Sequence, residues 1–159
     1  MRSLPVGLMI ATIAFTVTTQ SHAHCQMPCG IYDDELRVQL IEENVTTIEK
    51  SMNQIVALGK ETPVNYNQLV RWITTKEEHA QQIQDLVADY FLCQRIKAPE
   101  SKEGKPWEQY VAQLTTLHQI EVAAMKAKQT TDLANVEALR SLIAAFRTAY
   151  FGEAGGHSH

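Results

Sequence analysis

Cysteine, proline and glycine are all scarce in this sequence, with 3 Cys, 5 Pro and 7 Gly among 159 residues. So few cysteines exclude a disulfide-scaffold protein, and each one needs its own explanation. So little glycine and proline excludes collagen-like and low-complexity chains. An excess of positive charge is also missing. The formal net charge is −4 and the pI is near 5.8, so there is no electrostatic reason to expect nucleic acid as a partner. The chain shows no internal repeat, no phosphate-cradling glycine loop, no Gly-x-Ser-x-Gly elbow and no sustained strand alternation. What it does have is 45% hydrophobic residues in one domain's length. That is enough for a core without disulfide staples and too much for intrinsic disorder.

The chain opens with one positive charge, Arg2, then an apolar stretch from Leu8 to Val17, then a polar segment ending Ser21-His22-Ala23. The apolar core is shorter than the roughly 20 residues a membrane-spanning helix needs. With small residues at the two positions a signal peptidase reads, residues 1–23 have the layout of a secretory signal peptide cleaved after Ala23. The expectation is an exported protein, periplasmic or extracellular, without a stable membrane anchor. Its mature chain begins His24-Cys25-Gln26-Met27-Pro28-Cys29-Gly30.

Beyond residue 32 the pattern is helical. Ile41, Val45, Ile48, Met52 and Ile55 share one face of a first helix, started by Asp33 or Asp34 and stopped by Gly59. Leu69, Ile73, Ala80, Ile83, Val87 and Tyr90 continue the pattern in a second, spanning about Asn65 to Cys93. The polar stretch Lys97 to Lys105 reads as a loop, and Pro106 belongs in the first turn of a third helix. That helix carries Val111, Leu114, His118, Val122 and Met125 along one face. Asp132 caps a fourth, with Val136, Leu139, Ile143, Phe146 and Tyr150 inward and Gly152 at its end. The reading is an all-α four-helix bundle over residues 33–152, preceded by a hook at 24–32 and followed by a flexible tail at 153–159. Cys93 reads as a small buried hydrophobe and His118 as a core histidine. The glycosylation triplet Asn44-Val45-Thr46 is discounted because Val45 belongs to the packed face.

The hook concentrates donors. A free α-amine on His24, the amide nitrogen of Cys25 and the thiolates of Cys25 and Cys29 can form a planar four-donor set, with the His24 imidazole axial. Planar nitrogen and sulfur donors suit nickel(II) or copper(II), whereas zinc prefers a tetrahedron. The competing reading of Cys25 and Cys29 is a local disulfide, which an oxidising compartment favours. From spacing alone both stay open.

The run His24-Cys25-x-x-Pro28-Cys29-Gly30-x-Tyr32 matches every fixed position of the H-C-x-x-P-C-G-x-Y hook of nickel-containing superoxide dismutases, which this chain therefore resembles. Weaker similarity continues through Lys76-Glu77-Glu78-His79 and Asp89-Tyr90-Phe91. The resemblance implies dismutation of superoxide to dioxygen and hydrogen peroxide, by nickel cycling between +2 and +3 on a homohexameric four-helix bundle. It implies one nickel ion per chain, held by His24, Cys25 and Cys29. It also implies that Glu42 orients the His24 ring and that His79 stands where the bacterial prototype has an arginine. Tyr32 and Tyr90 would line the approach, ordering water and delivering protons. Gln26 departs from the usual aspartate, which removes a charged acceptor from that network, and Met27 replaces a usual aliphatic residue. The rival functional reading is an exported nickel or copper carrier that uses the same hook without turnover.

Overall fold

The computed structural model describes residue 28 and residues 30–152. The leader 1–23, His24, Cys25, Gln26, Met27, Cys29 and the tail 153–159 lie outside the described residues. Among the described residues the architecture is all-α, with four helices and no strands. The first, α1, spans Asp34–Leu58, and Asp33 accepts from the Leu36 N–H at 3.0 Å as its N-cap. Gly59 follows with φ −64°, so α1 ends without needing a left-handed glycine. Helix α2 spans Tyr66–Asp85, capped by the Asn65 side chain on the Gln68 N–H. Helix α3 runs Gly104–Gln129 with Pro106 in its first turn, and α4 runs Ala134–Phe151 with Asp132 accepting from the Ala134 N–H. Short connections make sequential helices antiparallel, and each helix packs on two neighbours.

The second helix does not end as its periodicity suggests. From Leu86 to Arg95 it continues as a π-helix, closed by the Ile96 N–H on the Phe91 carbonyl five residues back, at 2.9 Å. The wider turn rotates the residues after Tyr90 away from the α-helical pattern. Cys93 is consequently exposed, not the buried hydrophobe that α-helical spacing suggested.

The core joins Val38, Ile41, Val45, Ile48 and Met52 of α1 to Ala80, Ile83, Val87 and Phe91, and to Val136, Leu139, Ile143 and Phe146 of α4. Helix α3 contributes Leu117, Ile120, Ala123, Ala124 and Ala127, a different stripe from the one predicted. Val111 and Met125 are exposed, and so is His118, which is not a core histidine. The buried stripe lies roughly 150° around the helix from the predicted one. Its alanines allow close approach of neighbouring helices but signal burial less loudly than the large residues beside them. Near the end of α3, the buried Lys76 ammonium donates to the Ala127 carbonyl at 2.9 Å and to the Lys128 carbonyl. It thereby satisfies acceptors that the helix terminus leaves unpaired. The turns of α2 before Lys76 are less covered, and Tyr66, Val70 and Ile73 are exposed. Ile73 therefore departs from the inward face assigned to it.

Candidate functional site

Helices α1 and α2 enclose a groove of about 500 Å³ whose lining includes Pro28, Arg37, Asn44, His79 and Tyr90. Pro28 belongs to the hook, so the hook and the bundle meet here. Two residues on, Gly30 has φ +78°, a left-handed conformation that favours glycine and turns the chain toward α1. Arg37 and Asn44 are seven residues apart, two helical turns along the same face of α1, and so mark two stations in the groove. At one station Nδ1 of His79 donates to Oδ1 of Asn44 at 2.6 Å. An amide oxygen only accepts, so His79 carries its proton on Nδ1 and keeps Nε2 for a second partner. Asn44 is buried, which agrees with discounting it as a glycosylation site.

At the other station the Arg37 guanidinium lies 5.2 Å from the centroid of the Tyr90 ring. Tyr90 is buried and donates its hydroxyl to Oδ1 of Asp34 at 2.6 Å. The same carboxylate accepts from Tyr150 at 2.7 Å and from Nε and Nη2 of Arg95, both at 2.7 Å. One aspartate at the start of α1 thus ties down the π-helix and the end of α4. Arg95 in turn stacks over the Tyr32 ring, 4.3 Å from its centroid, while Tyr32 meets the Tyr90 ring edge-on at 6.0 Å. The end of the hook at Tyr32 is therefore held against the bundle by the Tyr90 ring and by Arg95, itself ion-paired to Asp34.

The π-helix makes this possible. Five residues along an α-helix are roughly 140° apart around its axis. Tyr90 and Arg95 are five apart, and a helix closed by five-residue hydrogen bonds stacks them, so both reach Asp34.

This frame sits inside a longer match. The profile of the nickel-containing superoxide dismutases matches residues 19–153, most of the chain. The chain belongs to that family. It is accordingly an oxidoreductase with a nickel cofactor, and superoxide is the substrate consistent with the family. Searches of curated proteins and of solved structures returned no match.

In this nickel superoxide dismutase, Tyr32, His79 and Tyr90 gather at or beside the groove, and Glu42 does not. Glu42 faces α4, 3.7 Å from Nη1 of Arg147, and lines a separate cavity with Arg140 and Arg147. The reason is angular: two residues along α1, about 200° around its axis, separate Glu42 from Asn44. Glu42 and His79 therefore line different cavities, and the residue that meets His79 is Asn44. Asp34, Arg37, Asn44 and Arg95 were missed from sequence. Asp34 resembled a helix-start acid, and nothing local ties Asn44 to a histidine 35 positions away.

The Asp34 cluster also shifts the titration of its phenols. Burial pushes the Tyr90 hydroxyl up, and the hydrogen bond to Asp34 adds to this, reaching about 12. Tyr150 is likewise pushed up to about 12 by burial and by Asp34. Burial raises the Asp34 carboxyl, but the bonds from Arg95, Tyr90 and Tyr150 outweigh it and hold it below the usual range. The Tyr90 hydroxyl thus keeps its proton aimed at Asp34, which ties the ring to the start of α1. An ordinary tyrosine ionises near 10, so the stability these two protonated phenols contribute is complete below pH 10 and lost as pH rises through about 12. Phenolate absorbance should show a late rise near pH 12, diminished in Tyr90→Phe and in Tyr150→Phe. Its absence in the parent would contradict the assigned hydrogen bonds.

Proposed function

We propose that this enzyme dismutates superoxide at a redox-active Ni(II)/Ni(III) centre built on the mature amino terminus. His24 supplies its α-amine and imidazole, Cys25 its amide nitrogen and thiolate, and Cys29 the second thiolate. One observation supports this above the rest: the groove lined by Pro28 also holds the Asn44–His79 pair and Tyr90, which is joined through Asp34 and Arg95 to Tyr32. The donor set fits the metal, since planar nitrogen and sulfur donors suit nickel(II). Nickel bound there supplies the one-electron couple that lets one superoxide be oxidised to dioxygen and a second be reduced to peroxide.

The chain's own residues do the remaining work. Asn44 accepts from Nδ1 of His79 and so orients its ring, leaving Nε2 for the hook, as outer partners orient metal-bound groups elsewhere. Tyr32, 42% exposed, covers the approach beside the root of the hook. Two protons are consumed per peroxide formed. With the Tyr90 proton committed to Asp34, they come from solvent reaching the exposed Tyr32 side.

Export through a leader at 1–23, into the periplasm or the extracellular space, completes the reading, because the α-amine of His24 becomes a donor only once that leader is removed. No helix among the described residues is long and apolar enough to cross a membrane. Assembly as a homohexamer accords with the uncovered Tyr66, Val70 and Ile73 on α2.

Intact mass and metal analysis of protein from its native host, alongside superoxide turnover, test this reading together. A chain starting at His24, with one nickel and rapid turnover, is the expected result. A different start, or Cys25 and Cys29 joined as a disulfide without nickel, defeats it. Nickel held at His24 without turnover makes the protein a carrier.

A further inference from the structure

Nε of Arg37 is buried and has no hydrogen-bond partner among the described residues. Buried N–H groups without an acceptor are rare in folded proteins, and each calls for an explanation. The contrast with the other bundle arginines is direct. Arg95 holds Asp34, Arg140 holds Glu49 and Glu137, and Arg147 holds Glu35 and Glu42, whereas Arg37 has no ion pair among the described residues. Glu43, Asp85 and Asp89 line the same groove, and none of them forms an ion pair with Arg37. The guanidinium is nonetheless fixed in place, because α1 carries it and the Tyr90 ring supports one of its faces at 5.2 Å. A donor held in place without an acceptor is matched to something that arrives.

The stretch of chain arriving at this groove is the hook, whose Pro28 shares the lining with Arg37. Hook residues bring backbone carbonyls, which accept from an Nε–H without adding charge to the groove. Resting on the reading of the hook as the nickel site, we propose that Arg37 is a positioning residue. Its Nε–H donates to a backbone carbonyl of the hook segment 24–29 and holds that loop in its metal-binding shape. The guanidinium charge on its own does not serve this purpose. The planar fork matters because it places one N–H toward the hook while its face stays on Tyr90, and a lysine ammonium cannot do both.

The test compares the parent with Arg37→Lys and Arg37→Met, each loaded with nickel, and measures the rate at which nickel passes to an external chelator. Superoxide turnover at several ionic strengths and circular dichroism melts accompany it. Both variants are expected to release nickel roughly 10- to 100-fold faster than the parent, the usual loss when a group behind a metal ligand is removed. Helix content should stay unchanged, and turnover per bound nickel should keep its salt dependence in Arg37→Lys. Release at the parent rate from Arg37→Met overturns the proposal. So does full recovery of the parent rate in Arg37→Lys, which would make Arg37 a charge and not a shaped donor. Unchanged release with a lower, less salt-dependent turnover would show that it attracts superoxide instead. A parent that takes up no nickel overturns the hook reading itself, whereas a nickel-holding parent with unaffected variants overturns this proposal alone.

Discussion

Cys25→Ser and Cys29→Ser are each expected to abolish superoxide dismutation, with losses well beyond the roughly 10- to 100-fold that follow from changing groups behind a ligand. A serine hydroxyl stays protonated at neutral pH and is a harder donor than a thiolate. It therefore neither completes the planar set nor lends the electron density that makes the oxidised metal accessible. The same loss is expected in a chain that keeps Ala23 ahead of His24, because a peptide nitrogen replaces the free amine. Metal content and turnover should fall together in all three chains, while the helical melt stays near that of the parent. Serine variants retaining full activity would remove the hook from the chemistry.

The second large effect is on stability. Asp34→Ala is expected to cost about 3 kcal/mol, because it leaves Arg95 and two phenols facing a vacated position in a partly buried cluster. For a bundle of this size that lowers the melting temperature by roughly 10 °C. Tyr150→Phe removes one of these bonds and should cost only about 1 kcal/mol. The pH dependence has a definite sign. Asp34 is held below its usual value, so its contribution is complete above about pH 4 and is lost as pH falls through the lower folded value. The Asp34→Ala protein should therefore lose less stability on acidification than the parent. An equal acid response in both would show that the carboxylate is not held as described.

Much of this was legible in the residues. The Asp33 cap and the stripe from Ile41 to Met52 are local facts, set by 3.6-residue spacing and side-chain size, and both are present in the structure. The stripe of α4 is legible for the same reason. Helix α3 presents nearly the opposite face to the one its large apolar residues suggest, because most of its buried face is built on alanine. The hook signature identified the family, yet the hook's surroundings could not be derived from it. Asn44 and His79 meet across 35 residues, Tyr90 and Asp34 across 56, and Arg95 and Asp34 across 61. Contacts of that separation depend on how helices pack. They also depend on a π-helix, which leaves no periodic mark.

The π-helix at Leu86–Arg95 makes residue count, more than residue identity, the vulnerable property of this stretch. Removing one position from it lets the backbone relax into tighter α-helical winding, which is locally favourable. Tyr90 or Arg95 would then swing away from Asp34, and the ring of Tyr32 would lose its support. Many side-chain replacements here can be accommodated, but a shortening by one residue cannot, so variants differing in length at this point should part company in activity before they do in fold.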